Sequence, residues 1–339
     1  MIKTLVLGPA WVGDMVMAQS LFKAVLERSG SEMLIDVLAP SYTLPLLQRM
    51  PEVHDALAMP LIQHGELAIG KRYKAGKALR TRQYDQVIVL PNSWKSALIP
   101  FWAKIPKRTG WIGESRFGLL NDIRRLDKAA LTSMTSQYAA LAFPKGQEEA
   151  AKTIPQRWWP ALSVNPIEVQ KTLDKFSITL DKNRPVLALC PGAAFGSAKR
   201  WPEEYYAELA NQVIDEGWEI WLFGSAGEKA VGNKIQSLCN NRCRDFVGTT
   251  SLPEAIDLLS VVTNVVSNDS GLMHIASALK RSVVAIYGPT PAEFAPPLTV
   301  GAKILQLDLS CRPCKQRECP LGHHHCMKMI SPEEVKAAF

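Results

Sequence analysis

Along both halves of this 339-residue chain, short and almost wholly apolar runs break into glycine, serine or aspartate and then resume with helical spacing. A continuous run of Val, Ile and Leu only four to six residues long is the mark of a strand buried on both faces, which parallel sheets achieve by packing helices on each side. The pattern therefore predicts an α/β chain built of two doubly wound, Rossmann-like units. In the first half, strands are expected near 2–7, 33–38, 85–90 and 107–111, with helices near 15–28, 66–81 and 94–103. The second half repeats the plan, with strands near 185–190, 218–223, 244–247, 264–268 and 283–287 and helices near 202–216, 227–238, 252–260 and 271–279. Between them the chain from Ile154 to Pro166 is rich in proline and poor in periodicity, which places a junction there and gives domains 1–160 and 161–339.

Ligands of such folds bind beyond the carboxyl ends of the strands, and three loops at those ends carry chemistry. After the strand that ends near Asn268, Asp269, Ser270 and Gly271 occupy the turn and first helical positions, where unpaired amides and the helix dipole attract an anion. Gly271 admits close approach. His274, one turn on and near the positive helix end, is expected to be neutral and to donate to a phosphate, and Asp269 is a candidate for a ribose hydroxyl. The second loop opens at Gly192 and runs through Ser197 to Lys199, which is placed to neutralise a diphosphate before a helix that starts at Pro202. The third holds Gly13 and Asp14. Asp14 reads either as a helix N-cap or, opposite a nucleotide-diphosphate site, as a base that accepts a proton from an attacking hydroxyl. A cleft between the two units would bring loop 8–14 to face loops 192–199 and 269–274.

No uncharged apolar run approaches the roughly 18 residues that a membrane span needs, and the first residues read as a strand rather than a signal peptide, so a cytosolic protein is expected. Charge is uneven. Residues 1–160 hold 21 Lys and Arg against 13 Asp and Glu, whereas residues 161–339 hold 18 against 19. The densest stretch, 71–82, contains Lys71, Arg72 and Lys74 among six cations without an acid. It reads as a solvated face or as a surface for a phosphate-rich or membrane partner.

The Gly-Asp loop near the N-terminus, the Pro-Gly-Ala segment at 191 leading to Lys199-Arg-Trp-Pro202, and Asp269-Ser-Gly with His274, in this order and spacing, resemble the bacterial ADP-heptose–lipopolysaccharide heptosyltransferases over nearly the whole chain. The similarity is greatest to the branch that adds the second heptose of the inner core. The resemblance implies a GT-B fold, an ADP-L-glycero-D-manno-heptose donor, a heptosyl-Kdo2-lipid A acceptor, inversion at the transferred carbon, and peripheral attachment to the cytoplasmic face of an anionic inner membrane. By motif it implies Asp14 as general base, Lys199 on the diphosphate, and Gly13, Gly192, Ser197, Glu228, Asp269, Ser270, Gly271 and His274 around the donor. Lys95 and Arg116 match segments that approach the anionic acceptor, with Lys71, Arg72 and Lys74 beside them. Ala193, Ala194 and Phe195 depart from the hydroxyl side chains that a related enzyme places before the lysine. The sequence contains no Asp-x-Asp pair for a divalent ion, so transfer without metal or cofactor is expected, with Lys199 and the helix start at 270 stabilising the departing diphosphate. The branch that adds the first heptose, or a GT-B transferase using another nucleotide-sugar, is the alternative.

Cys311, Cys314, Cys319 and Cys326, with three histidines in the same sixteen residues, have the composition of a structural zinc site, although the second pair is not Cys-x-x-Cys. Free thiols are the competing expectation. Either way the segment is expected to lie away from transfer. A basic nucleic-acid-binding protein with a zinc module would fit this cluster and the pI of 9.0, but not the phosphate loops or Asp14, and nucleic acid is not an expected partner.

Overall fold

In a computed structural model, residues 1–60 and 66–339 are described, and the chain divides into two units, Met1–Pro160 and Ala161–Phe339. Unit 1 is a six-stranded parallel sheet: β1 (Ile2–Leu7), β2 (Met33–Ala39), β3 (Asp55–Ala58), β4 (Gln86–Val89), β5 (Lys107–Trp111) and β6 (Asp122–Arg124), in the order β3-β2-β1-β4-β5-β6. Its helices are α1 (Val12–Ser29), α2 (Leu44–Leu47), α3 (Ile69–Leu79), α4 (Leu98–Trp102) and α5 (Met134–Ala139). The central strands are apolar because both faces are covered, and Leu5, Leu7, Val87 and Val89 lie in one buried cluster with Ala97, Ile99 and Leu120.

Unit 2 repeats this order. It begins with α6 (Pro166–Lys175), followed by β7 (Val186–Cys190), α7 (Glu203–Asp215), β8 (Glu219–Leu222), α8 (Lys229–Leu238), β9 (Arg244–Asp245) and α9 (Leu252–Leu259). The chain then forms β10 (Asn264–Asn268), α10 (Gly271–Ala278), β11 (Ser282–Tyr287), β12 (Lys303–Gln306), α11 (His325–Lys328) and α12 (Pro332–Lys336). The sheet reads β12-β11-β10-β7-β8-β9, again all parallel.

In each unit the order reverses beside the first strand, between β1 and β4 and between β7 and β10. Loops leaving neighbouring strands at such a switch point part to opposite faces and open a crevice at the carboxyl edge. The topology therefore places Gly8 to Asp14 beside Asn92 to Lys95 in unit 1, and Pro191 to Lys199 beside Asp269 to Gly271 in unit 2.

Several expectations need revision. Helix 66–81 begins at Ile69, helix 94–103 is a 3-10 turn (Trp94–Ala97) followed by α4, and strand 244–247 stops at Asp245. The edge strands β3, β6 and β12 and the helices α2, α5, α6, α11 and α12 lie outside the expected elements. α6 lies where a linker was read: Asn165 caps it by accepting from the Ile167 amide, and Pro166 occupies its first turn.

Candidate active site

Unit 2 assembles its loops around Asn268, the last residue of β10. Its amide nitrogen donates to the Pro191 carbonyl at 2.7 Å, while its Oδ1 accepts from the Trp201 amide and from the Tyr206 hydroxyl, both at 3.1 Å. One fully buried side chain thus ties the loop after β7 to the loop after β10. Sequence reasoning had passed over it, although a polar amide ending an apolar strand was the available signal.

Beyond this tie, Lys199 Nζ lies 2.5 Å from Asp269 Oδ2, and Thr290 Oγ1 donates to the same oxygen at 2.6 Å. The ammonium also sits 4.8 Å from the centroid of the Phe195 ring, a residue in the place where hydroxyls had been looked for. Ser270 caps α10 by accepting from the Met273 amide, and its hydroxyl lies 3.0 Å from that of Ser267. Gly271 opens α10, so its amide is among those without a helical partner. His274 is buried, and burial pushes its pKa down to about 4, with the Asp269 charge opposing and Lys199 reinforcing the shift. The imidazole is neutral at pH 7, and burial rather than the helix end is the main cause.

Glu228 and Gly192 meet. A Cβ on Gly192 would stand 2.0 Å from Glu228 Oε1, so only glycine permits this approach. The other carboxylate oxygen accepts from the Ser225 amide and hydroxyl, at 2.7 and 2.9 Å, closing a capping box at the start of the helical segment that follows β8. Ser197 is exposed and begins the turn that carries Lys199.

In unit 1, Trp11 and not Asp14 is the N-cap of α1. Asp14 stands within the first turn, half-buried beside Gly13, where the helix dipole favours the carboxylate. The buried Tyr138 of α5 has its pKa raised far above the usual tyrosine range, first by burial and then by the negative charge of Asp14. Lys95 is half-buried in the turn after β4; Lys71 and Lys74 are exposed on α3, Lys71 with Glu66 at 3.7 Å.

Arg72 and Arg116 are not surface cations. Arg116 is completely buried, donating to the carbonyls of Pro91 and Trp111 and to Asn92 Oδ1, and burial lowers its pKa to about 10. Arg72 is buried too and donates to the carbonyls of Leu67 and Lys95. Both guanidiniums donate to backbone carbonyls around Lys95 and Trp111, which fixes the loops that carry Lys95 and Glu114.

The cysteine segment is not remote from these loops. The Arg317 carbonyl accepts from the Ala198 amide at 3.0 Å, and a Cβ on Gly196 would come within 2.2 Å of that carbonyl oxygen. Arg312 donates to the Gly288 and Thr290 carbonyls, and the Lys315 amide to that of Pro289. The segment therefore braces the loop after β7 and the loop after β11, so it lies beside the residues around Lys199 rather than apart from them. Its four cysteines are half-buried free thiols, and among the described residues no group of three or more His, Cys, Asp or Glu is placed to hold a metal ion.

Comparison with known proteins decides the family. The profile of glycosyltransferase family 9 (heptosyltransferase) matches residues 72–325. The chain belongs to this family. It is 48% identical to lipopolysaccharide heptosyltransferase 2 of Escherichia coli K12 over 338 residues, 98% of this chain and 96% of that protein. It is 46% identical to lipooligosaccharide heptosyltransferase 2 of Haemophilus influenzae, over 97% of this chain and 96% of the relative. The solved structure of E. coli ADP-heptose lps heptosyltransferase II superposes with a TM-score of 0.88 at 45% identity, covering 99% of this chain and 97% of that one. The fold is the two-domain α/β arrangement of the GT-B heptosyltransferases.

Proposed function

We propose that the chain transfers L-glycero-D-manno-heptose from ADP-heptose to the first heptose of the lipopolysaccharide inner core, with inversion, as a cytoplasmic enzyme peripheral to the inner membrane. The observation that carries this reading is near full-length similarity to relatives named heptosyltransferase 2. Among the described residues no helix is long and apolar enough to cross a membrane.

Unit 1 binds the acceptor in this reading, with Lys71, Lys74 and Lys95 meeting its anionic groups and Arg72 and Arg116 positioning the backbone around them. Asp14 removes the proton of the attacking hydroxyl as that oxygen bonds to the anomeric carbon on the face opposite ADP. Unit 2 binds the donor. Glu228 and Asp269 take ribose and sugar hydroxyls, and the diphosphate lies against Lys199, Ser197 and the amides at Ser270 and Gly271, with neutral His274 donating to it. As the anomeric carbon–oxygen bond breaks, the diphosphate gains charge, and the ammonium and oriented amides stabilise that charge more in the transition state than in the ground state. Lys199, paired with Asp269 at 2.5 Å, turns its charge to the phosphate. These groups supply the positive charge for which a divalent ion would otherwise serve, so EDTA should leave the initial rate unchanged.

The deciding assay follows ADP release with ADP-heptose and Kdo2-lipid A carrying either no heptose or one. Turnover that requires the first heptose supports the proposal. Turnover only on the heptose-free acceptor reassigns the step, and turnover with neither removes the donor–acceptor pair.

A further inference from the structure

Among the described residues of unit 1, Met1, Ile2, Trp11 and Tyr42 are exposed large apolar side chains elsewhere, and the others fall on three adjoining segments. Ile69 and Tyr73 stand one turn apart on α3, Trp94 opens the turn before α4 and Phe101 lies on α4, and Phe117, two-thirds exposed, follows β5. The segments pack against one another. Tyr73 packs edge-on against Trp102 at 5.6 Å, Gly76 of α3 sits flush against the Ile99 carbonyl and Trp102, and Arg72 donates to the Lys95 carbonyl. The Trp94 amide donates to Glu114 at 3.0 Å, which joins the loop before Phe117 to the same face. Scattered exposed apolar residues are ordinary on any protein, but a contiguous group of aromatics is not.

Charge surrounds these rings. Apart from the buried Arg72 and Arg116, residues 66–79, 94–108 and 113–118 carry seven Lys and Arg against Glu66 and Glu114. Lys74, Lys77, Lys104 and Lys107 are exposed, and Arg108 lies over the Phe101 ring at 5.7 Å. Aromatic rings that can enter a headgroup region, bordered by lysines with long apolar stems, suit an anionic bilayer surface. Trp94 and Phe117 also follow the carboxyl ends of β4 and β5, the edge of the sheet at which the Asp14 loop leaves β1.

We propose that this aromatic and cationic face of unit 1 rests on an anionic lipid bilayer, so that the edge carrying Asp14 meets a sugar still anchored in that bilayer. This deepens the functional reading above and rests on it for the acceptor, whereas vesicle binding itself does not. Residues 71–82 alone, read as a charge run, are only part of the surface.

Full-length protein would be sedimented with vesicles of phosphatidylcholine alone or mixed with phosphatidylglycerol. Wild type should bind the mixed vesicles and lose binding as salt rises. Tyr73→Ser with Phe101→Ser and Phe117→Ser should weaken that binding at least tenfold, and Lys77→Gln with Lys104→Gln about twenty-five-fold, at roughly fivefold per lysine near the surface. Phe117→Ser alone, at a side chain mostly in solvent, serves if the triple variant does not fold, with a severalfold loss expected. Transfer is then read on vesicle-embedded acceptor and on the same acceptor deacylated and free in water. The aromatic variant should be slow only on the embedded form. Wild-type vesicle binding by that variant, equal slowing on both acceptors, or no preference of wild type for the anionic vesicles would overturn the proposal. Absence of wild-type turnover on both acceptors with vesicle binding intact would instead count against the transferase reading.

Discussion

His274 links burial to a measurable pH dependence. Its imidazole titrates near 6.5 in an unfolded chain and at about 4 in the folded protein, so the native state disfavours the protonated form. Above pH 6.5 this difference costs nothing. Between 6.5 and 4 the unfolded chain takes up a proton that the folded one refuses, and stability falls by about 1.4 kcal/mol per pH unit. Glu27, whose carboxyl Arg157 and Trp158 hold at about 2, acts in a lower window, below 4.5. Urea unfolding at pH 7 and pH 5 should therefore show a loss of about 2 kcal/mol that His274→Gln lacks; equal losses in both proteins would mean the imidazole is not refused its proton. Asp14→Asn should lower kcat by about 10²–10⁴-fold while calorimetric ADP affinity stays at the wild-type value, because a base acts on the acceptor. Wild-type turnover in the folded variant would remove the base. At this scale the sequence told the chemistry of a side chain but not its surroundings. Lys199 and Asp269 were each singled out, yet their mutual ion pair was not; Arg72 and Lys74 looked alike, and only packing separates a guanidinium spent on carbonyls from an ammonium in water.

Among elements, the strand-to-loop-to-helix pieces were readable wherever a strand is buried on both faces, as in β7 and β10, because burial itself writes the apolar run. Edge strands are written weakly. β12, with Lys303 and Gln306 exposed, and the two-residue β9 are shaped by their neighbours rather than by their own composition. α6 was lost for a different reason: Asn165-Pro166 was taken for linker, although the same pair is a helix start when apolar residues follow at helical spacing. The brace formed by Arg317 could not be read at all, since it joins residues more than a hundred positions apart. It can be tested through Gly196, whose Cβ in an alanine variant would overlap the Arg317 carbonyl. Overpacking of this kind costs about 1–3 kcal/mol, and relief by displacing the brace should shift Ser197 and Lys199. Gly196→Ala is expected to raise the ADP dissociation constant about tenfold with little change in the pH profile of kcat. Unchanged ADP affinity would show that nucleotide binding does not depend on the brace.

For the whole molecule, the doubling of one strand order explains why both halves yielded to the same reading: each sheet builds its own core and its own switch point. In the proposed reading each unit binds its own ligand at its own switch point, so a ligand of one unit stabilises that unit first. ADP touches unit 2 groups in the proposed mechanism, and a ligand that binds only the folded form at a hundred times its dissociation constant adds about 2.7 kcal/mol to stability. Thermal unfolding of a two-unit chain need not be a single transition, so the readout should be local. Amide hydrogen exchange with saturating ADP is expected to slow in 191–200, 225–229 and 269–274, the three segments that Asn268, Glu228 and Ser270 organise. Exchange in β1, β4 and α1 should be unaltered, and the protection should fall by the same factor as ADP affinity in Lys199→Ala. Protection centred instead on the Gly13 loop would place the nucleotide in unit 1 and reverse the assignment of donor and acceptor between the two sheets.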